Sequence, residues 1–276
     1  MKGLELSAKT ATAGMIATVI AYAIGAASVP YAYFAGLMGG GVTAELLFGF
    51  SVKAIASVLP VYLLFSMGLK KILSFKFKKG CVFLLVAPLA VALANLPIVP
   101  QICGYMSINI TFLNFIVYFL FCLSIGILEE SLYRGIVLPL TMYKFGRDKR
   151  GLFLAILLSS ALFGASHLVN LFGGNVGGVF LQVGYTFLIG CVCAYCTVVS
   201  GNIYPAIAVH TLFDLGGFLW HYGFATGKLW TAENVIFTAV VAVLSAVVMI
   251  IAFVKSDFSE VYERWGLNVY PEKTGE

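Results

Sequence analysis

From Gly80 to Leu128 the chain carries no Asp, Glu, Lys or Arg, and from Gly151 to Phe213 it again carries none. Runs of that length leave few ways to fold. An ordinary soluble domain has roughly a quarter of its residues charged. This chain of 276 residues has 11% charged and 61% hydrophobic, with a mean hydropathy of +1.00. Apolar stretches of about 18 residues or more indicate transmembrane helices. About eight are expected, at roughly 10–34, 51–69, 81–100, 111–130, 151–168, 177–199, 204–220 and 234–254. The fold class that follows is all-α, a polytopic transmembrane helical bundle. Residues 1–276 form a single membrane domain with no soluble domain beside it.

The few charges set the orientation. Lys70, Lys71, Lys76, Lys78 and Lys79 lie between the second and third stretches. Lys144, Arg147, Lys149 and Arg150 lie between the fourth and fifth, and the loops near 101–110 and 169–176 are uncharged. The positive-inside rule places both basic loops in the cytoplasm. With eight spans both termini are also cytoplasmic, and residues 255–276 form a cytoplasmic tail, a short interfacial helix with a loose end. The net charge of +5 gathers in these loops and does not point to nucleic acid. The lysines at 70–79 serve as a topology anchor, with anionic lipid an open alternative. The N-terminal apolar run is too long for a signal peptide and reads as a retained first helix. The Gly-rich stretch at 38–50 is a loop, a surface helix or a re-entrant piece. Cys81, Cys122, Cys191, Cys193 and Cys196 fall within apolar segments and Cys103 near a segment end. They are read as packing residues rather than a redox pair or disulfide framework.

Against this background residues 125–135, IGILEESLYRG, stand out. A charge at the bilayer centre costs from about 2.5 to well over 10 kcal/mol, so such residues face inward and pair. Glu130 and Arg134 are four apart and lie on one helical face. Glu129 points about 100° away and needs another partner, a wet cavity or a proton. Solvation of all three at the cytoplasmic interface is the plainer alternative, since Gly135 and Pro139 can end the span there. Two of the three histidines also lie inside apolar stretches. His167 follows Phe163 by four residues, and His210 precedes Asp214 by four. His221 sits at a segment end and is assigned no role. An unpaired Glu, two His and an Asp are the groups that activate water. A carboxylate acts as general base, and imidazoles hold the water, bind a metal or donate to an oxyanion. No HExxH spacing is present, so a zinc assignment does not follow.

The order EExxxR (Glu129, Glu130, Arg134), FxxxH (Phe163, His167) and HxxxD (His210, Asp214) resembles the CPBP family. These are the CAAX prenyl endopeptidases and their bacterial relatives, the ABI-domain intramembrane proteases. The resemblance covers about residues 120–220, which it marks as the catalytic core of the domain. It implies an intramembrane endopeptidase, a hydrolase acting on a peptide bond of a membrane-associated protein or peptide. Glu129 matches the water-activating glutamate, His167 the histidine that holds the water or a metal, and His210 the histidine near the scissile carbonyl. Glu130 and Arg134 complete the first motif as a structural pair, and Phe163 packs beside the site. Many relatives have Asn where Asp214 stands; an ionised Asp cannot donate to an oxyanion. Asp214 then orients His210, binds a cation or stays protonated. A divalent metal such as zinc on Glu129, His167, His210 and Asp214 stays open beside a metal-free glutamate mechanism. So do two other functions: a non-catalytic scaffold or immunity protein that binds a peptide, and a proton-coupled transporter.

Depth poses a condition. His167 lies 17 residues past the basic loop that ends at Arg150, about 25 Å along a straight helix. His210 is only a few residues into its own span. Straight helices would not bring Glu129, His167 and His210 together, so the spans are expected to kink or shift at their Gly- and Pro-containing turns.

Overall fold

The computed structural model describes residues 9–146, 148–173 and 175–267. Long apolar helices dominate. Five are long and apolar enough to cross a membrane: Val42–Ser66, Phe112–Phe145, Lys149–Phe172, Val176–Ser200 and Ala232–Lys255. A bent N-terminal pair, Met15–Ala26 with Tyr31–Leu37, makes a sixth if counted as one span. The architecture is that of a multi-pass helical membrane protein.

In chain order the elements begin with α1 (Lys9–Ala27), α2 (Tyr31–Leu37) and α3 (Val42–Ser66). The Gly-rich stretch 38–50 is thus a short turn followed by the first turns of α3. Two further stretches read as spans in the sequence come out shorter. Residues 81–100 divide into α4 (Cys81–Leu84), α5 (Val86–Ala94) and α6 (Ile98–Ile102). Pro97 disfavours helix at Leu96 and interrupts the run. Residues 204–220 form α11 (Tyr204–Gly217), 14 residues or about 21 Å. Pro205 enters at its first turn, and Gly216 and Gly217 close it. Neither segment alone matches a hydrocarbon core of about 30 Å.

The centre of the bundle is α7 (Phe112–Leu132), which α3 and α11 flank. It does not stop at Gly135. A π-helical turn at Tyr133–Val137 leads into α8 (Leu138–Phe145), giving a composite helix of 34 residues. Across the π turn the Tyr133 carbonyl accepts from Leu138 N–H, five residues on, and Ser159 Oγ on α9 (Lys149–Ser166) donates to the same oxygen at 3.0 Å. The widened turn also accepts Pro139, whose missing N–H falls where no helical bond is lost. At His167 the α9 geometry tightens into a 3-10 segment running to Phe172. After it come α10 (Val176–Ser200), α11 and α12 (Ala232–Lys255). The helices α7, α9, α10 and α12 each start behind a capping side chain: Thr111, Asp148, Asn175 and Thr231.

Small residues bring the central helices close. A Cβ at Gly126 would sit 2.8 Å from Thr211 Oγ1 and 3.2 Å from the Ile207 carbonyl, so α7 and α11 meet almost backbone to backbone there. At one end of the bundle β1 (Met106–Ile108) pairs antiparallel with β2 (Ala225–Gly227). At the other, α13 (Ser259–Trp265) buries Val261, Tyr262 and Trp265. Tyr262 Oη donates to the Gly146 carbonyl at 2.9 Å and Trp265 Nε1 to that of Gly201 at 3.1 Å. The expected interfacial helix is therefore docked on protein, and the expected loose end, 268–276, lies outside the described residues. All six cysteines are free, with Cys193 and Cys196 buried in the core as packing residues.

Candidate active site

The charged cluster sits where α7 enters its π turn, inside the bundle. Glu130 and Arg134 are completely buried, and Arg134 Nη1 donates to Glu130 Oε1 at 2.9 Å. This is the one-turn pair that the spacing predicts. Arg134 Nη2 also donates to the Gly190 carbonyl on α10 at 2.8 Å. Its guanidinium carbon lies 4.7 Å from the centre of the Phe163 ring. Gly190 has to be small: a Cβ there would meet Arg134 Nη2 at 3.1 Å and Phe163 at 3.2 Å. The arginine, itself on the π turn, is thus held by three helices, α7, α9 and α10.

The same Glu130 oxygen accepts a second bond, from His210 Nδ1 at 2.7 Å. A carboxylate paired with arginine has no hydrogen to give, so Nδ1 carries the proton and Nε2 is turned outward. Nε2 faces two more carboxylates, Glu129 Oε2 at 3.6 Å and Asp214 Oδ2 at 3.7 Å. Both separations exceed a direct hydrogen bond. Glu129 retains 24% side-chain exposure, while Glu130 on the next residue has none. Asp214 Oδ2 is buried and takes no hydrogen bond from the described protein. The end of α11 that carries Asp214 is pinned by Tyr118 Oη, which donates to the Leu215 carbonyl at 2.8 Å, and by Asn95 Nδ2, which donates to that of Phe213 at 2.6 Å.

His167 opens the 3-10 segment rather than completing a straight span. Its Nδ1 lies 3.0 Å from the Phe163 carbonyl, which again leaves Nε2 unengaged. The Phe163 ring stands between the two histidines, edge-on to both, with centroids 5.1 Å from His167 and 5.7 Å from His210. The structure therefore places Glu129 and Asp214 each within 3.7 Å of His210 Nε2, backs that imidazole with Glu130 and Arg134, and sets His167 next to it across Phe163. The breaks that depth required are the π turn after Glu129 and the 3-10 turn at His167. Sequence reasoning did not find the Glu130–His210 bond, Gly190, Tyr118, Asn95 or Ser159. Only Asn95, a lone amide in an apolar run, left a trace in the sequence.

The same geometry tests a metal. Ligands about 2.0–2.1 Å from a tetrahedral zinc lie about 3.3–3.5 Å apart, close to the two separations at Nε2. Nε2, Glu129 Oε2 and Asp214 Oδ2, however, are not among the described groups whose ligand atoms all lie within 4.8 Å of one another. Among the described residues, the group whose ligand atoms all lie within 4.8 Å of one another is Glu130, Cys193 and His210. There Arg134 already holds the carboxylate oxygen, and a cation beside a guanidinium is repelled. As arranged, these residues do not fit a bound metal.

Three motifs in one site point to a peptidase, and comparison with known families bears on this directly. Residues 110–216 match the model of the Rce1-like family, the type II CAAX prenyl endopeptidases. This segment is Rce1-like. It agrees with the CAAX-protease resemblance of the three motifs, and every site residue named so far except Asn95 lies within it. No curated protein and no solved structure matches the chain.

Proposed function

We propose that the chain is an intramembrane endopeptidase that hydrolyses a peptide bond of a membrane-associated protein or peptide. The observation that carries this reading is the convergence of Glu129 and Asp214 on His210 Nε2 above a fully buried Glu130–Arg134 pair. Partly exposed Glu129 takes the proton of a water, and the resulting hydroxide attacks the scissile carbonyl carbon. The carbonyl π electrons move to oxygen, which needs a donor. His210 has a carboxylate at each nitrogen and can carry a proton on both; Nε2–H then donates to the oxyanion. As the C–N bond breaks, Glu129 returns its proton to the leaving amine, so one residue serves first as base and then as acid. Glu130 keeps the imidazole in place through Nδ1, with Arg134 holding Glu130. Asp214 orients Nε2 from the far side, and His167 faces incoming water across Phe163.

Residues 120–220 would form this catalytic core within a single membrane domain. The eight-crossing arrangement, with both termini in the cytoplasm, remains part of the proposal and places α5 and α11 as short membrane-inserted helices. The matched family, described as CAAX prenyl endopeptidases, supports a protein or peptide substrate at the membrane, and the partners are then that substrate and the bilayer. The direct test is incubation of the purified protein in detergent with a peptide library, with products read by mass spectrometry. Cleavage is expected to persist in the presence of a chelator. Absence of any cleavage would remove the reading. Loss with chelator, restored by added divalent metal, would replace the metal-free mechanism.

A further inference from the structure

Lys70, Lys71, Lys76, Lys78 and Lys79 put five ammoniums into ten residues between α3 and α4, and the active site uses none of them. A topology anchor needs only charge at a membrane boundary. It needs no fixed shape, and this segment has one. The Lys78 backbone N–H donates to the Ser200 carbonyl at 3.0 Å, and Phe75 stacks on Tyr204 with ring centroids 4.4 Å apart. Arg264 of α13 donates to the Lys76 carbonyl. Lys78 Nζ donates to the Asp257 carbonyl at 2.6 Å and lies 3.9 Å from Glu260.

Between this loop and α13 runs a groove of about 630 Å³. Lys76, Phe77, Lys78 and Lys79 form one wall, and Glu260, Glu263 and Arg264 the other. Four cations against two carboxylates leave it positive. Lys70 and Lys71 add to that charge from the helical turn Lys70–Leu73, which packs on α13. Lys78 faces Glu260, whereas among the described residues no carboxylate comes within 4.0 Å of Lys76 or Lys79. Both are exposed, and each ammonium offers its donors to an anion. The surroundings are not wholly polar. Phe77 is 48% exposed, and just past Gly80 the first turn of α4 bares Val82 and Phe83, at 70% and 83%. An occupant with an anionic end and an apolar end meets both features. Inorganic phosphate or an acidic protein segment meets only the first.

We propose that this groove binds the headgroup of an anionic phospholipid, with Lys76 and Lys79 on the phosphate and the acyl chains along Phe77, Val82 and Phe83. Charge-assisted bonds hold the phosphate. A zwitterionic headgroup brings its own ammonium into a cluster of like charges and is disfavoured. The groove lies outside residues 110–216, so the family match assigns it nothing, and the proposal does not depend on the endopeptidase reading.

The test is native mass spectrometry of the full chain released from detergent, titrated with dioleoylphosphatidylglycerol or with dioleoylphosphatidylcholine. A lysine near an anionic lipid surface contributes about fivefold in affinity, so wild type is expected to bind the first phosphatidylglycerol at least about tenfold more tightly than the first phosphatidylcholine. The double variant Lys76→Gln/Lys79→Gln should lose most of that ratio with its unfolding midpoint unchanged. Lys144→Gln/Arg150→Gln, which removes two charges from the other basic loop, should keep it. Equal affinity of wild type for the two lipids would overturn the proposal. So would an equal loss in both double variants, since net charge alone would then explain the preference. Glycerol phosphate that displaces phosphatidylglycerol at matching concentration would show that the acyl chains play no part, and the lipid assignment would fall.

Discussion

Glu129 and Glu130 are separated by one peptide unit and about 100° of helical rotation. That rotation sends one toward a partly open space and the other into a closed contact with Arg134 and His210. The difference has an energetic consequence. Removing one partner of a buried pair strands the other charge, at about 3–5 kcal/mol. Arg134→Ala is therefore expected to lower the thermal unfolding midpoint of the detergent-solubilised protein sharply. Arg134→Lys should recover only part of it, because an ammonium cannot hold both Glu130 and the Gly190 carbonyl in the planar fork that arginine provides. A midpoint unchanged in Arg134→Ala would mean the pair is hydrated and not buried. The pair itself was legible in the sequence, since a spacing of four on a helix is a contact. The bond from His210 to Glu130 was not, because it joins positions 80 residues apart and depends on how α11 lies against α7.

The helices do what straight rods could not. The π turn at Tyr133–Val137 lets α7 and α8 run as one element past Gly135 and Pro139, which in the alternative reading of the sequence could end the span. Neither residue breaks the helix: the Tyr133 carbonyl accepts from Leu138 N–H across the π turn and from Ser159, and the first turn of α8 tolerates proline. The 3-10 turn at His167 likewise ends α9 at the depth where the site needs an imidazole. Local composition announces that a kink is available; which bond is given up is settled only by the neighbouring helix. The close helix contact at Gly126 carries a clear expectation. Gly126→Val would force its side chain against Thr211 and the Ile207 carbonyl, parting α7 from α11 and with them Glu129 from His210. Overpacking of this kind costs about 1–3 kcal/mol. The variant should lose far more cleavage activity than stability, whereas equal activity would show that the α7–α11 distance does not matter.

For the whole molecule, the charge-free runs correctly indicated a helical membrane bundle. They overcounted its long helices, because hydropathy does not register that Pro97 divides one run and that Gly216 and Gly217 shorten another. The short helix expected in the tail is present as α13. Aromatic residues in a polar segment suggested a membrane surface, yet Tyr262 and Trp265 bind backbone carbonyls at the ends of α8 and α10. Trp265→Ala is expected to destabilise the fold by about 3–5 kcal/mol, seen as a lower unfolding midpoint, with the cleavage pattern of the surviving protein unchanged. A tail that merely rests on lipid would show no such shift.

Catalysis as proposed depends on the division of labour between the two glutamates. Its most direct test is the single-turnover cleavage rate of Glu129→Gln, measured on protein whose unfolding midpoint equals that of wild type. A general base contributes typically about 10²–10⁴-fold, so the rate is predicted to fall by at least about a hundredfold while the fold is retained. A Glu129→Gln protein that cleaves at the wild-type rate would contradict it.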